Sequence, residues 1–348
     1  MFQIHFRSKI EQLFLKTTPG SLVVLLLISS AGFAQTDGGT AEGTLVHAFA
    51  QWRSVAQNPD LSPQAKQQQW MQLVDNLFYM QRLSQQILYK NWSRLSSYDR
   101  ERFRQALKTA ILRQIESSKL VKSADGNLKL QVVKKEVKQR SAGFEIKLTG
   151  DGEPLNAKIY LLKTPQGDWK ITNLKIRKKS LIRHYVQFCK KLLDRYSFPY
   201  MIAELGDYNE VVLEDFENGT PGQFPPGWSW KKKDNNKRKP YVVREEDHNK
   251  YLEATDRGES VIIGKNVKWN LKKYRYVSFR WRVHKIPKGG DERYGKTVDS
   301  AAGIYFIYKK KMGLIPESVK YVWSSTLPVG SAMRRSGVGK PWMVVADS

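Results

Sequence analysis

From Ser141 to Ile176 the chain reads SAGFEIKLTG DGEPLNAKIY LLKTPQGDWK ITNLKI. Phe144, Ile146 and Leu148 alternate with Glu145 and Lys147, and Leu155, Ala157, Ile159 and Leu161 alternate with Asn156 and Lys158. A period of two puts the apolar side chains on one face of a pleated strand and the polar ones on the other. Gly150-Asp151-Gly152 and Pro165-Gln166-Gly167 punctuate the run, as do Ser141-Ala142-Gly143 and Asp125-Gly126-Asn127 before it. Leu128–Ile176 therefore predicts about four antiparallel strands joined by tight turns. In the last strand the phase changes: Trp169 and Ile171 share one face, Leu174 and Ile176 the other. A bulge or strong bend is the physical remedy, and it curls a sheet.

Helical periodicity flanks this run on both sides. Upstream, Trp70, Leu73, Leu77, Met80, Leu83 and Ile87 recur at three- and four-residue steps, and so do Phe103, Leu107, Ile111 and Ile115. Ser62 can cap the first of these helices with Pro63 at its first position, and the stripe predicts a helix running to Tyr89 or Trp92. Ser96-Ser97 followed by Asp99 and Glu101 marks the start of the second. A shorter helix is expected over Leu45–Ala56, with Leu45, Phe49, Trp52 and Val55 on one face. Downstream, Leu181, Tyr185, Phe188 and Leu192 form a third stripe, and Met201, Ile202 and Leu205 follow Pro199. The fold class is α+β, helices laid over a curved antiparallel sheet. Such an interior either fills itself or encloses something equally apolar.

The 348 residues suit two domains, and an apolar share of 41% supports real cores. Lys and Arg number 59 against 33 Asp and Glu, a net charge of +26 that asks for a polyanionic neighbour. The N-terminus chooses among polyanions. Arg7, Lys9 and Lys16 precede the apolar run Leu22–Ile28, and small residues close it at Ala31, Gly32 and Ala34. This pattern is a secretory signal, with cleavage expected after Ala34 and a flexible leader over 35–44. The run is short for a membrane span, and no cysteine stands where a lipoprotein would need one. Export to the periplasm removes nucleic acid as a partner and leaves the anionic membrane surface and envelope glycan. Cys189, the single cysteine, sits in an apolar helical context and reads as a buried structural thiol.

Leu88-Tyr89-Lys90-Asn91-Trp92, Leu95-Ser96 and Arg100-Glu101-Arg102-Phe103 resemble the first helical block of MlaC-type periplasmic phospholipid-binding proteins. Asp168-Trp169-Lys170-Ile171, then Ser180-Leu181 and Tyr185–Phe188, resemble that family's closing strand and helix. The likeness spans residues 45–206. It implies an NTF2-like half-barrel with lipid tails inside and the headgroup outside. It also implies two partners, an inner-membrane MCE-type ABC transporter complex and an outer-membrane lipoprotein, between which the protein shuttles phospholipid without catalysis. Phospholipid is then cargo, and no cofactor is expected. The expected tail lining is Leu73, Leu77, Met80, Leu83, Phe103, Leu107, Ile111, Phe144, Ile146, Leu148, Ile159, Leu161, Trp169, Ile171, Tyr185 and Phe188. Lys175, Arg177, Lys178, Lys179 and Arg183 would face the headgroup or an anionic membrane surface, each near-surface charge contributing about 1 kcal/mol. The chain departs from the family pattern in two places: Asn173 stands for an Asp, and Lys178-Lys179 stand for a Gly-Val. Docking or headgroup preference is where these would act.

After Gly206 helical periodicity ends, and six of the ten tryptophans fall here. Rows such as Val277, Phe279, Trp281, Val283 and Ala302, Ile304, Phe306, Tyr308 predict an all-β jelly-roll-like sandwich over 207–348. Asp215-Phe216-Glu217, Pro225-Pro226-Gly227-Trp228 and Phe279–Val283 are similar to a secreted bacterial family of unknown function. The sequence stops just after the strand pattern at Trp342–Val345, so the sandwich is expected to be incomplete at Ser348, with an unpaired edge near Val344. Trp228, Trp230 and Trp269 could stack on sugar rings, which makes an envelope glycan-binding protein the alternative function. Asp215 with Glu217 is too small a set for calcium, and the histidines lack ligand spacing, so no metal is expected. Asp291, Glu292 and Asp299 are the remaining carboxylates worth placing, for a glycoside chemistry that no motif fixes. No catalytic residue is assigned.

Overall fold

A computed structural model describes residues 3–7, 39–116, 129–149, 154–176, 179–232, 239–255, 261–311 and 315–348. The chain divides into two compact units, Phe2–Phe279 and Arg280–Ser348. The apolar run Leu22–Ile28 of the expected signal lies outside the described residues, and the end of the expected flexible leader is instead helical from Ala41, with Thr40 as its cap and Ala41 buried. Ahead of that run, Gln3–Arg7 (β1) pairs antiparallel with Glu210–Glu214 (β7) and lies between β7 and Tyr276–Arg280 (β12) in a three-stranded sheet.

The first unit opens on α1 (Ala41–Gln57) and α2 (Pro63–Leu77), whose Trp52 and Trp70 rings stack at 5.2 Å. Ser62 caps α2 by accepting the Ala65 N–H, and Pro63 takes the first helical position. The single long helix expected up to Tyr89 or Trp92 is broken instead. Phe78 leaves helical geometry and its backbone bridges Ile171 in the sheet, with the Tyr79 N–H donating to the Ile171 carbonyl at 2.8 Å. A new helix α3 (Met80–Leu88) then starts, and a 3-10 turn (Tyr89–Arg94) follows it. A sheet edge with free carbonyls competes with the next helical hydrogen bond and wins here, because Phe78 is almost fully buried by the exchange. α4 (Ser97–Glu116) begins where expected, with the Asp99 N–H on Ser96 Oγ at 3.0 Å.

Four antiparallel strands follow in sequential order: β2 (Lys129–Val137), β3 (Ser141–Thr149), β4 (Leu155–Lys163) and β5 (Trp169–Ile176), closed by the short β6 (Lys179–Ser180). The predicted bulge is present. Tyr160 opposes Asn173 but Leu161 opposes Ile171, so Thr172 has no partner on β4. This one extra residue turns Trp169, Ile171, Leu174 and Ile176 all toward the core, where each is buried. Thr172 bonds its hydroxyl to the Tyr160 carbonyl at 3.2 Å. Helix α5 (Leu181–Leu193) then packs on β5, β6 and α3, and helix α6 (Phe198–Gly206) packs on α4 and α5.

Beyond α6 the first unit continues through β7, β8 (Ser229–Lys232), β9 (Tyr241–Glu246), β10 (Asn249–Ala254), β11 (Ile262–Gly264) and β12. β9 pairs with β10 and β8 with β11, each as a two-stranded ribbon. Glu204 on α6 holds Lys273 at 2.7 Å, and the Tyr274 hydroxyl donates to the Tyr208 carbonyl.

The second unit is built on one sheet of β13 (Ala302–Lys311), β14 (Ile315–Trp323), β15 (Ala332–Met333) and β16 (Trp342–Asp347), in the order β13-β14-β16-β15. Strand-rich structure after α6 matches the expectation, but β14 and β16 run parallel. The unpaired edge expected near Val344 is absent: Val344 opposes Tyr321 on one side and Ala332 on the other.

Candidate functional site

The sheet's inner face and the helices over it share one apolar cluster. It takes in Phe144, Ile146, Ile159, Leu161, Trp169 and Ile171 from the strands, and Leu77, Met80, Leu83, Phe103, Leu107, Ile111 and Tyr185 from the helices. Leu73 and Phe188 are half-buried against it, and the Leu148 side chain lies outside the described set. These residues were spread over more than a hundred positions, and the topology brings them together. Leu83, Phe103, Leu107 and Ile111 are each 0% exposed, so they meet other side chains and no water-sized space. At these four positions the vacant, tail-holding interior expected from the sequence is absent, and the side chains pack against one another.

Two polar groups sit inside this apolar region. The hydroxyls of Ser84 on α3 and Tyr185 on α5 are buried and have no hydrogen-bond partner among the described residues. A buried hydroxyl left unpaired costs about 1–3 kcal/mol, whereas Ala and Phe at these positions would avoid that penalty. Burial pushes the Tyr185 phenol far above its ordinary range, against the opposing pull of Arg113, so it stays a donor. Sequence reasoning placed Tyr185 among the lining and missed Ser84. The available signal was a polar residue at helical spacing between Met80 and Leu88 on a buried face. Cys189, one turn beyond Tyr185, is buried with its thiol pushed up to about 12 by burial, as a structural thiol should be.

A basic corner lies at the start of α5. The β5–β6 hairpin pairs Lys175 with Ser180 and Ile176 with Lys179, so the strand end and the helix start are held together. Lys175, Lys179 and Arg183 are exposed there; Arg177 and Lys178 lie outside the described residues. Ser180 caps α5 by accepting the Arg183 N–H, and its own hydroxyl donates to Asn173 Oδ1 at 3.1 Å. Asn173, where the family has Asp, also faces the Ile182 N–H at 3.5 Å. Its amide oxygen thus serves the helix N-terminus. Next to this corner, burial and, secondarily, the charge of Lys179 hold the His184 imidazole below its ordinary value. Its Nε2 lies 3.2 Å from the Gln114 amide nitrogen, which can donate to a neutral ring.

The other candidate residues are dispersed. Trp228 stacks on Phe216 and donates to Glu214 Oε2 at 2.7 Å, while Trp230 stacks on Phe224 at 4.9 Å. Trp269 is half-buried on the segment before Tyr274. Asp215 accepts the Tyr98 hydroxyl and Glu217 the Lys250 N–H, so they serve different partners. In the second unit Asp291 is held below the usual carboxylate range by its hydrogen bond to Arg293, and Glu292 is fully buried against the Ser324 hydroxyl at 2.6 Å. Among the described residues no three His, Cys, Asp or Glu side chains converge as a metal site would need. A cleft of about 780 Å³ opens between α4, α6 and β7, lined by Tyr98, Glu101, Arg102, Asp207, Tyr208 and Val212. Pro199, Ile202, Ala203 and Val212 give it an apolar wall beside the charged Glu101, Arg102, Asp207 and Glu210, and Ile202 also belongs to the apolar cluster. Among the described residues no helix is long and apolar enough to cross a membrane.

Helices on a curved antiparallel sheet with one apolar interior define an α+β segment, followed by a strand-rich region. Residues 47–207 match the MlaC protein family, and the chain carries an MlaC-type segment there. Residues 226–348 match a family described as a protein of unknown function, DUF3047. Among solved structures, the chain is similar to a phospholipid-binding protein from Ralstonia solanacearum in complex with a phospholipid. That match has 19% identity and a TM-score of 0.41, and covers 49% of this chain and 96% of the other. No curated protein matches the chain.

Proposed function

We propose that this chain is a non-catalytic phospholipid-binding protein of the periplasm, and that residues 45–206 take up the acyl tails between the helices and the curled sheet. The observation that carries this reading is the MlaC-type segment over 47–207, whose strands and helices turn their apolar side chains onto one interior. Since its side chains pack against one another, the tails enter by parting helices from sheet. Each tail methylene contributes about 0.8 kcal/mol relative to water, which can offset the lost side-chain contacts. Tails in a bilayer are already out of water, so exchange between membrane and protein is close to neutral. Near-neutral exchange suits a carrier that must also release its cargo.

The basic corner at Lys175, Lys179 and Arg183 supports an anionic headgroup or membrane surface as its neighbour. The finer reading follows the family: the protein shuttles lipid between an outer-membrane lipoprotein partner and an inner-membrane MCE-type ABC transporter, after removal of a secretory signal ending at Ala34, which takes β1 with it. Native mass spectrometry of the full chain after incubation with phosphatidylglycerol vesicles tests the core of this. One lipid bound per chain is expected. A chain that carries no lipid from its source and acquires none from vesicles refutes it.

A further inference from the structure

We infer that the Tyr185 and Ser84 hydroxyls hydrogen-bond the ester carbonyls of a diacylglycerol-based lipid, and so fix how deep its tails sit. This rests on the phospholipid reading and adds to it the part of the ligand that is recognised. Both hydroxyls are buried, Tyr185 at 3% and Ser84 at 0% exposure, and neither has a hydrogen-bond partner among the described residues. They stand on α3 and α5, two helices that pack on one another and bound the interior. Neither is needed to fill space, since Phe and Ala would pack as well without an unpaired donor.

The ligand group that satisfies both is a pair of uncharged acceptors attached to hydrocarbon. Ester carbonyls are that group; a carboxylate would bring a charge into the same apolar site at far higher cost. The order along α5 agrees. Tyr185 is two residues past the exposed Arg183, a rise of about 3 Å, and one turn before buried Cys189. Phosphate, ester and tail thus map onto basic corner, hydroxyl and apolar cluster in sequence. A buried water bridging the hydroxyls is the competing account, and it predicts no dependence on ligand carbonyls.

The test uses the delipidated full chain, its Y185F and S84A variants and the double variant. Vesicles of dioleoylphosphatidylglycerol are compared with vesicles of the matching diether lipid, which has the same headgroup and tails but no carbonyls. The wild-type chain is expected to take up the diester at least tenfold more, about 1.4 kcal/mol, and the double variant to discriminate less than twofold. Its apo form is expected to melt at or above the wild-type temperature, because two unpaired groups are gone. Equal uptake of the two lipids by the wild-type chain, or undiminished discrimination in the double variant, overturns the carbonyl contact and leaves phospholipid binding standing. Uptake of neither lipid overturns both.

Discussion

Replacing Leu107 by Ala separates a filled core from a lipid-accepting one. Leu107 lies on α4, is 0% exposed and belongs to the cluster between helices and sheet. In the lipid-free protein the substitution removes three buried carbons and leaves a void, costing about 2–5 kcal/mol. For a segment of this size, each kcal/mol moves the midpoint by about 2–4 °C, so a loss near 3 kcal/mol lowers it by about 6–12 °C. With a tail beside the site, hydrocarbon can occupy the vacated volume and return about 0.8 kcal/mol for each carbon replaced, most of the transfer loss. Thermal melts of wild-type and L107A protein, delipidated and then reloaded with phosphatidylglycerol, should show a large gap without lipid and a gap of a few degrees with it. The same gap in both states, in a chain whose wild-type midpoint rises with lipid, refutes the placement of the tails at Leu107.

Deleting Thr172 removes the unmatched residue of the β4–β5 bulge and forces Trp169 and Ile171 out of phase with Leu174 and Ile176; loss of cooperative unfolding and of near-ultraviolet circular dichroism is expected, and retention of both would show that the bulge is dispensable. N173D places a carboxylate at the N-terminus of α5 beside Ser180 and the Ile182 N–H. It should raise stability at pH 7 by about 0.3–1 kcal/mol, a gain that fades as pH falls through the depressed carboxyl pKa; a urea midpoint unchanged at pH 7 counts against it. His184 has a lowered pKa in the folded protein, so the unfolded chain binds its proton first. Stability is therefore full above about pH 6.5 and declines as pH falls from there through the folded value. H184Q should flatten the urea midpoint between pH 7.5 and 5.5, and an unchanged slope would assign the dependence to other groups.

The local signals were legible because they are matters of neighbouring residues. Ser62-Pro63 and Ser96 cap the helices that follow them, and the phase change in Trp169–Ile176 announces a bulge that appears at Thr172. The break at Phe78 was not legible, since the competing hydrogen-bond acceptor is the carbonyl of Ile171, far along the chain. Nor was the parallel register of β14 and β16, which no turn sequence joins. Of the candidate site, the membership of the apolar cluster could be read from periodicity, whereas the unpaired state of Ser84 and Tyr185 could not. A hydroxyl's partners depend on what other elements bring to it.

Taken alone, the sequence determined most of the helical and extended segments, which faces are apolar, and that five basic residues fall between Lys175 and Arg183. Periodicity and capping act within a few residues, so they are written in the chain itself. Only the tertiary structure decided that the stripes pack on one another around the fully buried Leu107, and that two hydroxyls are shut inside without partners among the described residues. Packing and hydrogen-bond satisfaction are set by contacts between distant segments, and the pattern along one segment carries no record of what will face it.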